Sequence, residues 1–467
     1  MFGLREKLGR DRRIDALLII AIIISAFIIM IPFLIPRPLP ETTLRILTRF
    51  GPPFTNQIEE IFLSSSYAEE YNIVDIEWEG PATSMWEAYI QSGQIDLVMA
   101  DVLIMSQLED TDSFRPLEGS GVSQVSETVA GVDMKGYSAG FPVWCSYGIQ
   151  VTIFELLVNE TFLQTFGLTT PDTVEELLTS EYLLYESNSS LIGIDIPEPL
   201  SIGHQFQHIL TKKLGWEIGI QDLTLLYANS QVYPSEGDAL EALLRGEIAI
   251  ALTTSRERAS ESFPPTISYV HLQDMVRVIP YPIAIANGTL HQSQSEAFIE
   301  YLLSPEGQSS LLVEELGFLP VRREAFDIAQ DEIETSTYED FNWTIRAGGP
   351  GVSDLYSSED IALRFYMNST VFSAWQNLTL TWKDVVNAYE NGSIGYVRFS
   401  QFSEMLGEPL SIIDPNSHMN KSFTESYALS IINDLSNIDF LTEVKRLWRV
   451  AANQRYETLR ELLLALI

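Results

Sequence analysis

The stretch IPYPIAIANGTLHQSQSEAFIEYLLSPEGQSSLLVEELGFLPVR, residues 279–322, reads as a buried strand followed by capped helix. Residues 282–286 form a short apolar run of strand length. Ser304 can accept from first-turn amides, Pro305 suits the first helical position, and Gly317 can take a left-handed stop. Together they predict a helix of about three turns over PEGQSSLLVEEL, packed by its leucines. Working outward, residues 42–325 alternate β-rich runs with amphipathic stretches, the pattern of a parallel sheet flanked by helices. The fold class is α/β.

The other predicted strands are 44–48, 73–78, 95–100, 149–154, 191–196 and 248–253, with helical patterns at 84–92, 173–178, 204–214 and 236–244 between them. In parallel sheets ligands gather at strand carboxyl ends, where loops and helix N-termini converge. The candidate ligand-binding residues are therefore Phe50 beside Arg49, Asp101, Trp144 and Tyr147, Ser201, Thr253 beside Thr254, and Tyr281 between two prolines. Aromatic, hydroxyl and carboxylate groups recur there; ordinary loop or core packing is the competing reading for each.

The chain carries 64 acidic and 28 basic residues, a net charge of −36, which repels nucleic acid and anionic headgroups. Residues 16–35 are apolar except for Ser25 and follow a basic leader, residues 1–15. About 20 such residues cross a bilayer once, and the positive-inside rule places the leader in the cytoplasm and the remainder outside. The expectation is an uncleaved anchor over 16–36, since Pro32 and Pro36 sit where a signal peptide would be cut. Cys145 is alone, so no intrachain disulfide forms. Eight Asn-x-Ser/Thr acceptors, at Asn159, Asn188, Asn287, Asn342, Asn368, Asn377, Asn391 and Asn420, all follow the apolar segment. They fit a glycosylated, archaeal or eukaryote-like exterior, and four between 342 and 391 predict a solvent-facing region.

Three runs carry a resemblance. TFGLTTPDTVEELLTSEY (165–182), KKLGWEIGIQDLTLLYANSQVYPSEGDALEALLRGEIAIAL (212–252) and the opening stretch with its Ser-Pro-Glu-Gly-Gln and Pro-Val-Arg occur in order. They resemble the extracellular solute-binding proteins of ABC importers, nearest the branch that binds iron(III), thiamine and polyamines. The resemblance covers roughly residues 42–325. It implies two lobes of type II periplasmic-binding-protein topology, 42–140 with 265–330 and 141–264, crossed near 141–146 and 254–264. It further implies a solute, small molecule or ion, trapped between the lobes and passed to a permease with a separate ATPase, with no chemistry and no cofactor.

The departures matter too. No Tyr-Tyr pair occurs, which argues against iron, and no metal site is expected. In HQFQH, His204 and His208 read as a helix-surface pair without a third ligand. Phe50, Trp144 and Tyr281 would suit an organic cation or flat ring, and Asp101 an ammonium group. Residues 331–467 form an extension expected to be mainly helical and to pack on the first lobe, ending in an amphipathic helix over 440–464. A surface sensor or adhesion protein on the same bilobed fold is the alternative function. A hydrolase is the weaker one, lacking Gly-x-Ser-x-Gly and His-Glu-x-x-His.

Overall fold

Nine strands build one sheet: β1 (Thr42–Thr48), β2 (Ile73–Glu79), β3 (Leu97–Met99), β4 (Lys135–Ser138), β5 (Phe141–Asn159), β6 (Ile192–Asp195), β7 (Gln231–Tyr233), β8 (Ile250–Thr254) and β9 (Ile267–Ile285). The computed structural model describes residues 40–467 except Asp110, Leu200, Glu261, Glu334 and segments 185–188, 314–317, 330–332 and 355–356. The apolar segment 16–35 with its leader, the expected stop at Gly317 and the acceptor Asn188 lie outside the described residues. Among the described residues no helix is long and apolar enough to cross a membrane.

The strand order is β7-β6-β8-β5-β9-β3-β1-β2, with β4 on the free edge of β5. β5 and β9 are each 19 residues long and pair antiparallel along most of their length. β3 is parallel to β1 and antiparallel to β9, so it runs with β5; β8 is antiparallel to β5. The two sets of short strands therefore run toward each other, and their carboxyl ends face across the middle of β5 and β9. Met99 ends β3 level with Cys145, and Thr254 ends β8 level with Phe154. At strand rise, the nine residues between those levels span roughly 30 Å. The order on each side is the same, β2-β1-β3-β9-β5 and β7-β6-β8-β5-β9, so the sheet is mixed and the two halves repeat one arrangement.

Helices cover both faces. Pro52–Leu63, Gln292–Leu303 and Pro305–Val313 close the core of the first half, where Ser304 caps as expected, accepting from Gly307 N–H at 3.0 Å. Ile202–Leu214 and Trp216–Ala228 cover the second half.

The extension departs from its expected seat. Its first helices, Glu324–Ala329 and Thr335–Arg346, do pack beside the first half through Leu312, Phe326 and Phe341. The remainder, from Ser358–Met367 to Ile438–Leu464, instead shares one continuous core with the second half. The physical reason is apolar demand: Trp216, Leu223 and Tyr227 of Trp216–Ala228 are buried in a cluster to which the extension contributes Tyr366, Phe372, Phe423 and Trp448. Phe423 stacks on Tyr366 with centroids 3.9 Å apart, and Trp448 meets both edge-on. Trp216 donates its indole N–H to Phe423 O at 3.0 Å. In Ile438–Leu464 the buried residues Phe440, Val444, Trp448, Ala452, Tyr456, Leu459 and Leu463 recur at helical spacing along one stripe. The acceptors in this region are less open than expected: Asn391 is exposed, but Asn342, Asn368 and Asn377 are half-buried, and Thr344 and Thr370 are buried.

A charged joint ties the extension to the long strands. Glu155 on β5 is fully buried, 2.6 Å from Arg258 Nε and 2.9 Å from His271 Nδ1. Asp340 of Thr335–Arg346 lies 3.2 Å from the Arg258 guanidinium, which sits 4.0 Å over the Tyr269 ring. Burial pushes the Asp340 carboxyl up to about 6 against the pull of Arg258, and Glu155 adds to the rise.

Trp448→Ala should cost about 3–5 kcal/mol by cavity formation, read by denaturant unfolding; a loss below ~1 kcal/mol would contradict the shared core. Because Asp340 binds its proton more tightly folded than unfolded, its contribution is greatest at low pH and is lost as pH rises through about 6. Raising pH from 4 to 7 should therefore shift the stability difference toward Asp340→Asn, by up to about 3 kcal/mol.

Candidate functional site

Between the facing strand ends, β5 and β9 present a floor. The ladder there pairs Arg277 with Thr152, Ile279 with Gln150 and Tyr281 with Gly148, and strand alternation puts these six residues on one face. Gln150, Ile279 and Tyr281 are half-buried, whereas Thr152 and Arg277 are buried.

The floor is aromatic at one end and cationic at the other. Tyr281 lies 4.4 Å from Phe318 and 5.5 Å from Phe50, ring to ring, and Phe54 touches both phenylalanines. Gly148 lies under the Phe318 ring, where an added Cβ would make ordinary contact at 3.4 Å. Beside this cluster, at the carboxyl ends of β1 and β2, a groove of about 510 Å³ is lined by Thr48, Arg49, Phe50 and residues 80–83. At the other end the Arg277 guanidinium donates to Gln205 Oε1 at 3.0 Å and Thr152 Oγ1 at 2.9 Å. Burial lowers its pKa to about 10, and the charge of Arg256, just past β8, adds to the drop. Such a face can hold a small molecule by ring contact, amide and hydroxyl hydrogen bonds and a cation.

Of the residues expected at the site, three converge: Phe50, Tyr147 and Tyr281. Tyr147 is fully buried and contributes packing, with its hydroxyl pKa raised by burial. The other four have structural duties. Trp144 is 3 % exposed in a core cluster and donates to Glu109 Oε2 at 3.1 Å, so it is a core residue rather than a wall of the site. Asp101 accepts from Ile104 N–H at 3.0 Å, and Ser201 accepts from His204 N–H at 3.2 Å, both as helix caps. Thr253 is buried and donates to Glu236 Oε1 at 2.6 Å, beside a 240 Å³ cavity against β8.

His204 and His208 are buried, not surface residues; His208 Nδ1 lies 2.7 Å from Asp360 Oδ2, inside the seam with the extension. Burial pushes the His204 pKa down. Among the described residues one group, Glu155, His271 and Asp340, has metal-ligand geometry, and Arg258 already holds an oxygen of each carboxylate. Sequence reasoning missed Gln150, Thr152, Arg277 and Phe318. One signal was readable: Arg277 is a single cation inside the apolar run MVRVIPYPIAI.

The sequence model of one family, bacterial extracellular solute-binding protein, matches residues 192–318. Among solved structures, the Bordetella ferric binding protein is similar at 13 % identity over 69 % of this chain and 95 % of its own, with a TM-score of 0.44. Iron-bound HitA of Pseudomonas aeruginosa is similar at 16 % identity over 69 % and 98 %, with a TM-score of 0.39. The spermidine/putrescine ABC transporter substrate-binding protein PotD of Streptococcus pneumoniae is similar at 16 % identity over 72 % and 99 %, with a TM-score of 0.41. The matched residues 192–318 include β6, β7, β8 and all of β9.

Proposed function

We propose that this chain captures a small solute between two hinged lobes, one built on β1–β3 and the other on β6–β8 with both threaded by β5 and β9, and delivers it to an ABC permease driven by a separate ATPase. The observation that carries this reading is the facing of strand carboxyl ends across β5 and β9, with the same strand order on either side. Among the described residues two strands, β5 and β9, join the halves in the sheet, so bending them would bring both sets of loops onto one ligand. A solute that touches both lobes only when they close shifts the population toward the closed form by the energy of those added contacts. The match over residues 192–318 supports the same role.

The apolar segment 16–36 would tether the lobes outside the cell. Glycans would sit at Asn287, Asn391 and Asn420, the exposed acceptors among the described residues. Binding here is transport without chemistry, and its specificity resides in the floor and in Phe50 and Phe318.

One member of a panel of sugars, polyamines, thiamine, carboxylates, phosphates, oligopeptides and ferric chelates should raise the melting temperature of the purified chain by a few degrees at saturation. The same solute should shrink its radius of gyration in small-angle scattering. A melting shift without contraction would sink capture between lobes. Tyr281→Ala should weaken binding by about tenfold, ~1.4 kcal/mol, with little loss of stability, whereas Trp144→Ala should destabilise the fold.

A further inference from the structure

Resting on that capture reading, we infer that the solute is an organic anion whose carboxylate or phosphate group is held by Arg277, with its apolar or ring portion against Tyr281 and Phe50. Arg277 is 5 % exposed and has no carboxylate partner among the described residues. Its two hydrogen-bond partners are neutral, and its Nε, also buried, has none. A buried cation without an anion is costly, so folded proteins pair such groups or give them a ligand.

The composition sharpens the point. With 64 acidic residues against 28 basic, carboxylates are abundant, and Arg258, the comparably placed arginine, takes two of them. Arg277 instead faces the charge of a second cation, the exposed Arg256. The buried carboxylate of Asp195, on β6, is engaged elsewhere, at the first turn of Ile202–Leu214, where it accepts from Gly203 N–H at 2.9 Å. Arg277 therefore carries its charge beside the Thr152 hydroxyl and under the influence of Arg256, with no carboxylate bonded to it among the described residues.

Arg277 and Tyr281 stand on one face four residues apart, which is about 13 Å along a strand. That spacing fits an elongated solute with its charge at one end and its ring at the other. A guanidinium pairs bidentately with carboxylate or phosphate, and this geometry excludes a polyamine at the same position.

The test is thermal melting of the full purified chain at low salt with acetate, inorganic phosphate, phenylpropionate, phenyl phosphate, spermidine and maltose as probes. Phenylpropionate or phenyl phosphate should raise the midpoint by about 2–4 °C at a hundredfold excess over Kd, and the better of the two tells carboxylate from phosphate. Acetate or inorganic phosphate should do so less. Arg277→Gln should abolish the shift, Arg277→Lys should keep part of it, and Arg256→Gln should weaken binding about threefold to tenfold, with less effect at high salt. Without a probe, Arg277→Gln should melt at or above the parent temperature, because it removes an uncompensated charge. A probe-free loss of stability in Arg277→Gln with no anion response in the parent would make Arg277 purely structural and overturn the inference. If maltose or spermidine stabilises parent and Arg277→Gln alike and no anion does, capture stands and the anion falls. If no probe shifts the parent, both fall.

Discussion

The antiparallel pairing of β5 with β9 is the constraint on which the rest depends. Each strand enters one half and leaves in the other, so neither half is made of one continuous segment. The short strands can only hang from these two, and their directions follow from the two ladders. The pairing is continuous from Val276 to Tyr281, but it breaks between His271 and Val276 and again between Tyr281 and Pro282. At the first break Leu272 and Met275 dip into the core of the second half, Gln273 N–H bonds Asp172 O, and Asp274 accepts from Gly348 N–H. Irregularities of this kind bend a strand and raise its twist, and these two bracket the floor.

The extension answers a problem of charge as much as of apolar area. Basic groups in and beside the second half find their anions on it: Arg258 and His271 at Asp340, His208 at Asp360, and Lys212 at Glu359. Burial works against the Asp360 carboxylate, yet the nearby His208 and the Ser357 amide hold its pKa below the usual range. Asp340, Glu359 and Asp360 thus bring counter-charge to helix Ile202–Leu214 and the ends of the long strands. This counter-charge reaches Arg258 but not Arg277, which is what separates a structural ion pair from the cationic end of the floor.

Much of this was legible in the sequence, and the limits have physical causes. The short strands near 44–48, 73–78 and 248–253 were readable as β-rich runs of strand length, the last of them buried throughout. The long strands were not: only 149–154 of β5 and the end of β9 stood out. In β9 the run ISYVHLQDMVRVIPYPIAI carries His, Gln, Asp, Arg and two prolines, which read as breaks. Pro280 is tolerated because it faces Ile149, whose own N–H and C=O bond Leu319, so the ladder asks no N–H of the proline there. Trp144 was misplaced because an aromatic at a strand end looks alike from either role; only Glu109 and a close-packed Gly136, whose added Cβ would strike the indole, reveal a core residue. His204 and His208 looked superficial because their cover comes from residues more than 150 positions later.

The floor couples the halves through one short piece of chain. Tyr281 is gripped by Phe50, Phe54 and Phe318 of the first half, directly or through their mutual contacts, whereas Arg277 is gripped by Gln205 of the second. Both side chains leave β9 on the same face, so rotation of one half against the other changes the relation between two anchors that share a backbone. A ligand touching only the aromatic end would gain nothing from closure, and a bare anion at Arg277 would gain little. A solute long enough to reach both would gain contacts only in the arrangement that brings the anchors into register, and that differential affinity is what a hinge needs.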